Sequence, residues 1–211
     1  RDNNDLMPDL PAEYRAARET VALFDRSALG KVSVTGRDRL AFLQGMLTND
    51  VKGLLPGQGA PAAFLDAHGK VMVLLVVYAA ADRVLLELPA SLTEKTLQTL
   101  DRYLISEKAA FEAVDDGFAI WSLQGPAARG LLEGLTGVAL ELPAYGHAEV
   151  TIGGAPARVI NRAEGPAPGF HCWVSAEHGA TVRAALETAG AVPAGAGTLE
   201  VLRVEAGQPW Y

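Results

Sequence analysis

Three scarcities bound this chain before any motif is read. Cysteine is the first: 211 residues carry one, Cys172. A lone thiol forms no internal disulfide, and no cysteine-and-histidine spacing of a metal site surrounds it. This fits a reducing, cytoplasmic setting, and the apolar run GFHCWV marks Cys172 as a small buried hydrophobe. Long hydrophobic runs are the second. No stretch approaches the ~18 uninterrupted apolar residues of a membrane span, and the opening RDNNDLMPDLP lacks the apolar region of a signal peptide. Positive charge is the third. Lys and Arg number 18 against 25 Asp and Glu, for a net charge of −7. Such a chain is poorly suited to neutralising a phosphate backbone, so neither nucleic acid nor a membrane is expected as partner.

Several site signatures are missing as well. There is no P-loop (G-x-x-x-x-G-K followed by Ser or Thr), no G-x-S-x-G elbow and no HExxH. GQGAPA holds a single G-x-G with no strand before it, too little for a dinucleotide fingerprint. The four histidines, His68, His147, His171 and His178, show no ligand spacing and read as surface or turn residues.

What remains is an ordinary globular composition, 49% hydrophobic and 20% charged. The apolar period of AEYRAARETVAL predicts a helix over residues 12–23, and the alternation of GKVSVTG predicts a strand over 30–36. Leu40, Leu43 and Leu47 fall at helical spacing. AAFLDAHGKVMVLLVVY reads as a hairpin turning at Gly69, with Asp66 serving the turn and residues 71–78 as a buried strand. DRVLLELP is a further strand, and Ser91 with Glu94 forms a capping box for the next helix. Two more strands, EKAAFEAV and GFAIWSLQG, precede a helix opening at Pro126. GHAEVTIGG, APARVINRA and GFHCWVSAE follow as strands. A helix stopping at Gly190 comes next, then a last helix in which Thr198 is a candidate cap. Strands in groups separated by single helices predict an α+β fold with mostly antiparallel sheets, and the recurring element order suggests a duplication. The expected division places residues 1–50 with 115–211 in one subdomain and 51–114 in the other.

One carboxylate stands out. On the wheel of the last helix Glu205 falls between Val201 and Leu202, on the apolar side and in the last turn, where the helix dipole disfavours negative charge. Three explanations are open: a frayed, solvated end; a structural pairing with an arginine; or a carboxylate that accepts hydrogen bonds from a ligand. Its two oxygens would suit the adjacent donors of a pterin edge.

The ending LRVEAGQPWY resembles the L-R-x-E-A-G-x-P-x-Y-G segment of the folate-binding superfamily of the glycine-cleavage T-protein (aminomethyltransferase). ALFDRSALGKVSVTGRDRLAFLQGMLTNDV, FLDAHGKVMVLLVVY, WSLQGPAA and PGF match the same family in order. The resemblance implies an internally duplicated α+β core around a folate site, with tetrahydrofolate or another reduced folate as cofactor. It also implies a C-terminal β-barrel that this chain does not contain, so that Trp210 and Tyr211 read as a cut ahead of it. Residue by residue, it assigns the pterin-binding glutamate to Glu205 and a cavity-lining aromatic to Tyr211, and gives Arg203 a supporting role.

The departures shape the functional expectation. The family's two consecutive aspartates, one of them the catalytic acid, fall on Val73 and Leu74. The tyrosine expected before FLD falls near Pro61, and the acidic residue expected after GF is His171. No catalytic residue is therefore assigned. The hairpin residues Gly69 and Lys70 resemble the YgfZ-type branch, folate-binding proteins linked to iron–sulfur enzymes and tRNA modification. The expected function is tetrahydrofolate binding in iron–sulfur cluster assembly or repair, with iron–sulfur proteins as partners. The alternative is a folate-dependent aminomethyl- or methyltransferase.

Overall fold

The computed structural model describes residues 12–208. In chain order its elements are α1 (Ala12–Glu19), β1 (Ala22–Asp25), β2 (Gly30–Thr35), α2 (Arg39–Met46), β3 (Gly59–Leu65), β4 (Val71–Ala79), β5 (Val84–Leu88), α3 (Thr93–Tyr103), β6 (Ala110–Ala113), β7 (Phe118–Gln124), α4 (Ala128–Thr136), β8 (His147–Ile152), β9 (Ala155–Asn161), β10 (Gly169–Ser175), α5 (Gly179–Thr188), β11 (Val192–Pro193) and α6 (Ala196–Glu205). The strands form two sheets, one of order β11-β1-β7-β10-β9-β8 and one of order β3-β4-β5-β2-β6. Every pairing is antiparallel except β1 with β11. The α+β class expected from the grouped strands is the class observed.

Alternation along the strands explains the layering, because successive side chains leave a strand on opposite faces. In the six-stranded sheet Trp121, Leu123, Val159, Phe170 and Cys172 pack against Leu132 of α4 and Leu186 of α5. In the five-stranded sheet Val32, Phe64, Val73, Val77 and Leu86 pack against Leu43 of α2 and Leu100 of α3. The other faces meet each other: Val76, Tyr78 and Leu85 touch Ile120, Ile160 and Trp173. Each sheet thus carries two helices on its outer face and meets the other sheet on its inner face, while α1 and α6 pack on Ala22 and Phe24 at one end of the six-stranded sheet's inner face.

Several local expectations are corrected. The first helix ends at Glu19, and residues 22–25 form β1. That short run is apolar on both faces: Leu23 joins one core cluster while Ala22 and Phe24 join another with α1 and α6. The capping box is not formed. Ser91 lies in a short 3-10 turn, and α3 begins at Thr93 without a side-chain cap. Thr198 lies within α6 instead of capping it. Glu13 of α1 does that work, its Oε2 accepting the Gly195 N–H at 2.9 Å and the Thr198 hydroxyl at 2.8 Å. Strand β2 is a central member of the five-stranded sheet and α2 packs on that sheet, so residues 30–50 sit with 51–114, not with 115–211.

Candidate functional site

The inner faces of the two sheets are apolar at one end only. Further along, β5 turns Glu87 and β2 turns Lys31 to the same side as neighbours across the ladder. From the other sheet β10 supplies His171, β7 supplies Ser122 and Gln124, and the loop after β9 supplies Arg162 and Glu164. His171 bridges two carboxylates, with Nδ1 3.2 Å from Glu87 Oε2 and Nε2 3.0 Å from Glu164 Oε2. The Ser122 hydroxyl donates to Glu164 at 2.9 Å, and Gln124 donates to Ser122 and accepts from the Glu164 N–H. Arg26 pairs with Glu164 at 2.9 Å, Arg162 with Glu87 at 3.5 Å, and the Tyr78 hydroxyl donates to Glu87. Lys31 is fully buried, its Nζ donating to the Ser27 and Asp115 carbonyls.

Removing these charges from water is costly unless each finds a partner. Burial opposes a charge on His171, but Glu164 and Glu87 outweigh it and raise its pKa. Burial would likewise push the Glu164 carboxyl up, yet His171, Arg26 and Arg162 hold it at about 2. The cluster is therefore an imidazolium between two carboxylates, flanked by two guanidiniums. This corrects the surface reading of the histidines: His171 is fully buried and His147 nearly so. His147 is a neutral ring, since burial and Arg158 lower its pKa to about 4. Two of the four histidines do stand in turns or at the surface, His68 and His178. The signal for the cluster was present as one carboxylate inside an apolar strand, Glu87 in VLLELP, but only the pairing of two distant sheets shows what it meets.

Beside the charges lies an uncovered apolar shelf. The register Pro61↔Val76 and Ala63↔Leu74 puts these four residues on one face of the β3–β4 ladder, the face turned toward the other sheet. Val76 is buried, but Pro61 and Leu74 are exposed, Leu74 by 38%. Val73 points the opposite way, into the core with α2 and α3. Asp66 is committed to the hairpin, its Oδ1 accepting the N–H groups of His68 and Lys70 at 2.8 and 2.9 Å. Gly69 completes that turn with φ of 79°.

Glu205 is at the end of α6, its side chain 33% exposed. One oxygen accepts the Tyr14 hydroxyl, and the other lies 3.3 Å from Arg18 Nη1. Tyr14 and Arg18 are one turn apart on α1, so Glu205 fastens the two helices together. Arg203 pairs with Glu200 and with the Gln208 carbonyl. The next polar contact runs from Gln208 to the Ala163 carbonyl, which ties the end of α6 to the loop that carries Arg162 and Glu164. Tyr211 lies outside the described residues. Cys172 is buried, and burial pushes its thiol up to about 12, as an inert core residue requires. No group of three or more His, Cys, Asp or Glu among the described residues is arranged to hold a metal ion. No described helix is long and apolar enough to cross a membrane.

Two antiparallel sheets packed back to back, with helices outside and charges buried at the seam, define an α+β class with solved examples. The aminomethyltransferase T of the glycine cleavage system from Bartonella henselae superposes with a TM-score of 0.83 at 21% identity, covering 94% of this chain and 54% of that one. A heterotetrameric sarcosine oxidase from Corynebacterium sp. U-96 superposes with a TM-score of 0.59 at 15% identity. At such identities the likeness is one of fold. The sequence goes further: residues 3–211 match the GCVT N-terminal domain, and the chain belongs to that family. It is 33% identical over 209 residues to an aminomethyltransferase of Synechocystis sp. and 34% identical over 206 residues to one of Chloroherpeton thalassium, covering 96% and 94% of this chain. It spans 56% and 57% of those relatives' lengths.

Proposed function

We propose that this chain is the folate-binding part of a tetrahydrofolate-dependent group-transfer protein of the aminomethyl- or methyltransferase kind. The observation that carries this reading is the family match along nearly the whole chain, with relatives named aminomethyltransferase at 33–34% identity. The residues present suit the ligand. The shelf of Pro61, Ala63, Leu74 and Val76 offers a flat apolar face for a planar ring, and charged groups of both signs stand beside it. Glu205 is the carboxylate that accepts the pterin's adjacent N–H donors, a role open to it because its partner Arg18 is 45% exposed and free to swing aside. Tyr211 belongs to the same proposed site, and a cytoplasmic setting to the same reading.

A second reading is favoured by one specific pair of residues. Val73 and Leu74 stand where the resemblance puts two aspartates, and neither can donate or accept a proton. Folate binding without turnover accords with that loss, and the hairpin residues Gly69 and Lys70 add support for a YgfZ-type role in the service of iron–sulfur proteins. Titrating the full-length protein with tetrahydrofolate tests the shared part. Binding is expected, with Glu205→Gln weakening it by about 1.5–3 kcal/mol, the scale of a charge-assisted hydrogen bond. Unchanged affinity would remove Glu205 from the site, and no binding at all would refute both readings. Tetrahydrofolate-dependent release of formaldehyde equivalents from an aminomethyl or methylamine donor separates them, since only the transferase reading requires it.

A further inference from the structure

Tyr145 is the only non-glycine residue with positive φ among the described residues, at 60°. For a residue with a bulky side chain this backbone is uncommon, and it persists only where the surroundings enforce it. The surroundings are visible. Tyr145 N–H donates to the Asn161 carbonyl, Asn161 N–H returns a bond to the Gly146 carbonyl, and the Asn161 side chain holds the Leu142 carbonyl. The loop before β8 is thereby clamped onto the end of β9. The result is that the Tyr145 ring lies beneath the guanidinium of Arg162, 5.3 Å from ring centroid to Cζ. Arg162 is held from a second side by Glu87, through its Nε. Its terminal nitrogens, Nη1 and Nη2, make no hydrogen bond among the described residues, and a fifth of the side chain is exposed.

This bracket stands at the shelf. Glu87 is paired across the ladder with Val76, which is paired in turn with Pro61. The Tyr145 backbone crosses the same strand one step along: a methyl group at Gly59 would come within 2.6 Å of the Tyr145 carbonyl oxygen. Gly59 and Pro61 are successive positions on one face of β3. A counter-charge for Glu87 would need neither the strained tyrosine nor the open guanidinium edge. A preorganised donor fork would need both, because a guanidinium fixed in plane presents two parallel N–H groups with little rotamer freedom left to lose.

We propose that Arg162, oriented by Tyr145 and Glu87, is the specificity-determining residue of this site and reads a planar pair of acceptors on the bound ligand, an inference that rests on the folate reading above. A reduced folate offers such pairs at two places, the oxo-and-nitrogen edge of its pterin and the carboxylates of its glutamate tail. The experiment is a calorimetric titration of the full-length protein with tetrahydrofolate, with a tetrahydropterin lacking the tail, and with p-aminobenzoylglutamate. Arg162→Lys keeps the charge that Glu87 requires but loses the fork. It is expected to weaken tetrahydrofolate binding about tenfold or more with the melting temperature maintained, and the fragment whose affinity falls with it identifies which end is read. Tyr145→Asn, which tolerates the left-handed backbone but lacks the ring, is expected to weaken binding about threefold or more, and Tyr145→Phe to restore it to within about twofold. Tetrahydrofolate affinity unchanged by Arg162→Lys would overturn the assignment while leaving folate binding intact. Should that variant fail to fold, unchanged affinity in Tyr145→Asn would do the same. A wild-type protein that binds no tetrahydrofolate would instead overturn the folate reading and this inference together.

Discussion

His171 is the residue on which most of the buried charge depends. Both ring nitrogens face carboxylates, and its own surface is fully covered. Removing the ring would leave Glu87 and Glu164 facing each other with only the arginines to balance them, so His171→Leu is expected to cost about 3–5 kcal/mol at neutral pH in denaturant unfolding. The pH dependence has a definite sign. The folded pKa of His171 lies above its ordinary 6.5, so the stability from its pairing is fully present below that value and is lost as pH rises through the folded pKa. Glu164 behaves oppositely. Its folded value of about 2 against an ordinary 4.5 means a contribution present above 4.5 and lost as pH falls toward 2. The wild-type protein should therefore lose stability on the alkaline side of 6.5. His171→Leu should flatten that limb and also shrink the acid one, since His171 is the first of the groups that hold the Glu164 pKa down. An alkaline limb that survives the substitution would assign it to a group other than His171. The buried Lys31 is not that group, because its lowered pKa makes its titration add stability as pH rises.

At the scale of elements, β4 shows what a strand's alternation does to a functional expectation. Val73 and Leu74 are neighbours in sequence but belong to different environments, one in the core under α2 and α3, the other on the open shelf. Val73→Asp is expected to destabilise by more than about 3 kcal/mol through an unpaired buried carboxylate, whereas Leu74→Asp should cost about 1 kcal/mol or less. Melting temperatures of the two variants check this, and equal losses would mean that the face assignment fails. The elements legible in the sequence were those whose signal is local: the 66–70 hairpin, the glycine stop at 190, the grouped strands. Those misread depend on distant partners. β1 looked like the tail of a helix because a strand buried on both faces has no alternation to display. Ser91 and Thr198 looked like caps because the composition fits, but α6 takes its cap from Glu13, which lies 182 residues before Gly195. The apolar-side position of Glu205 was legible from the wheel. Its partners, Tyr14 and Arg18, were not, because only packing brings α1 against α6.

For the whole molecule, the proposed site is built from three bodies that the chain keeps far apart in sequence. The shelf belongs to the five-stranded sheet, Arg162 and Glu164 to the loop between β9 and β10 of the other sheet, and Glu205 to α6, which packs on β1. Gln208 and Leu202 tie the last helix to that loop, the latter so closely that a methyl at Gly165 would stand 3.1 Å from its Cβ. A ligand that touches all three stabilises their arrangement and not any one of them, and at a hundredfold excess over Kd it should add about 2.7 kcal/mol to the folded state. Local opening is the sensitive measure, because loops and shelf edges open with less than the global free energy. Hydrogen exchange with and without tetrahydrofolate should show added protection in β4, in residues 162–168 and in the last turn of α6 together. Protection confined to one sheet would mean that the ligand sits on a single body. The charged seam would then be only the fastening between the sheets, and Glu205 only the clasp between α1 and α6.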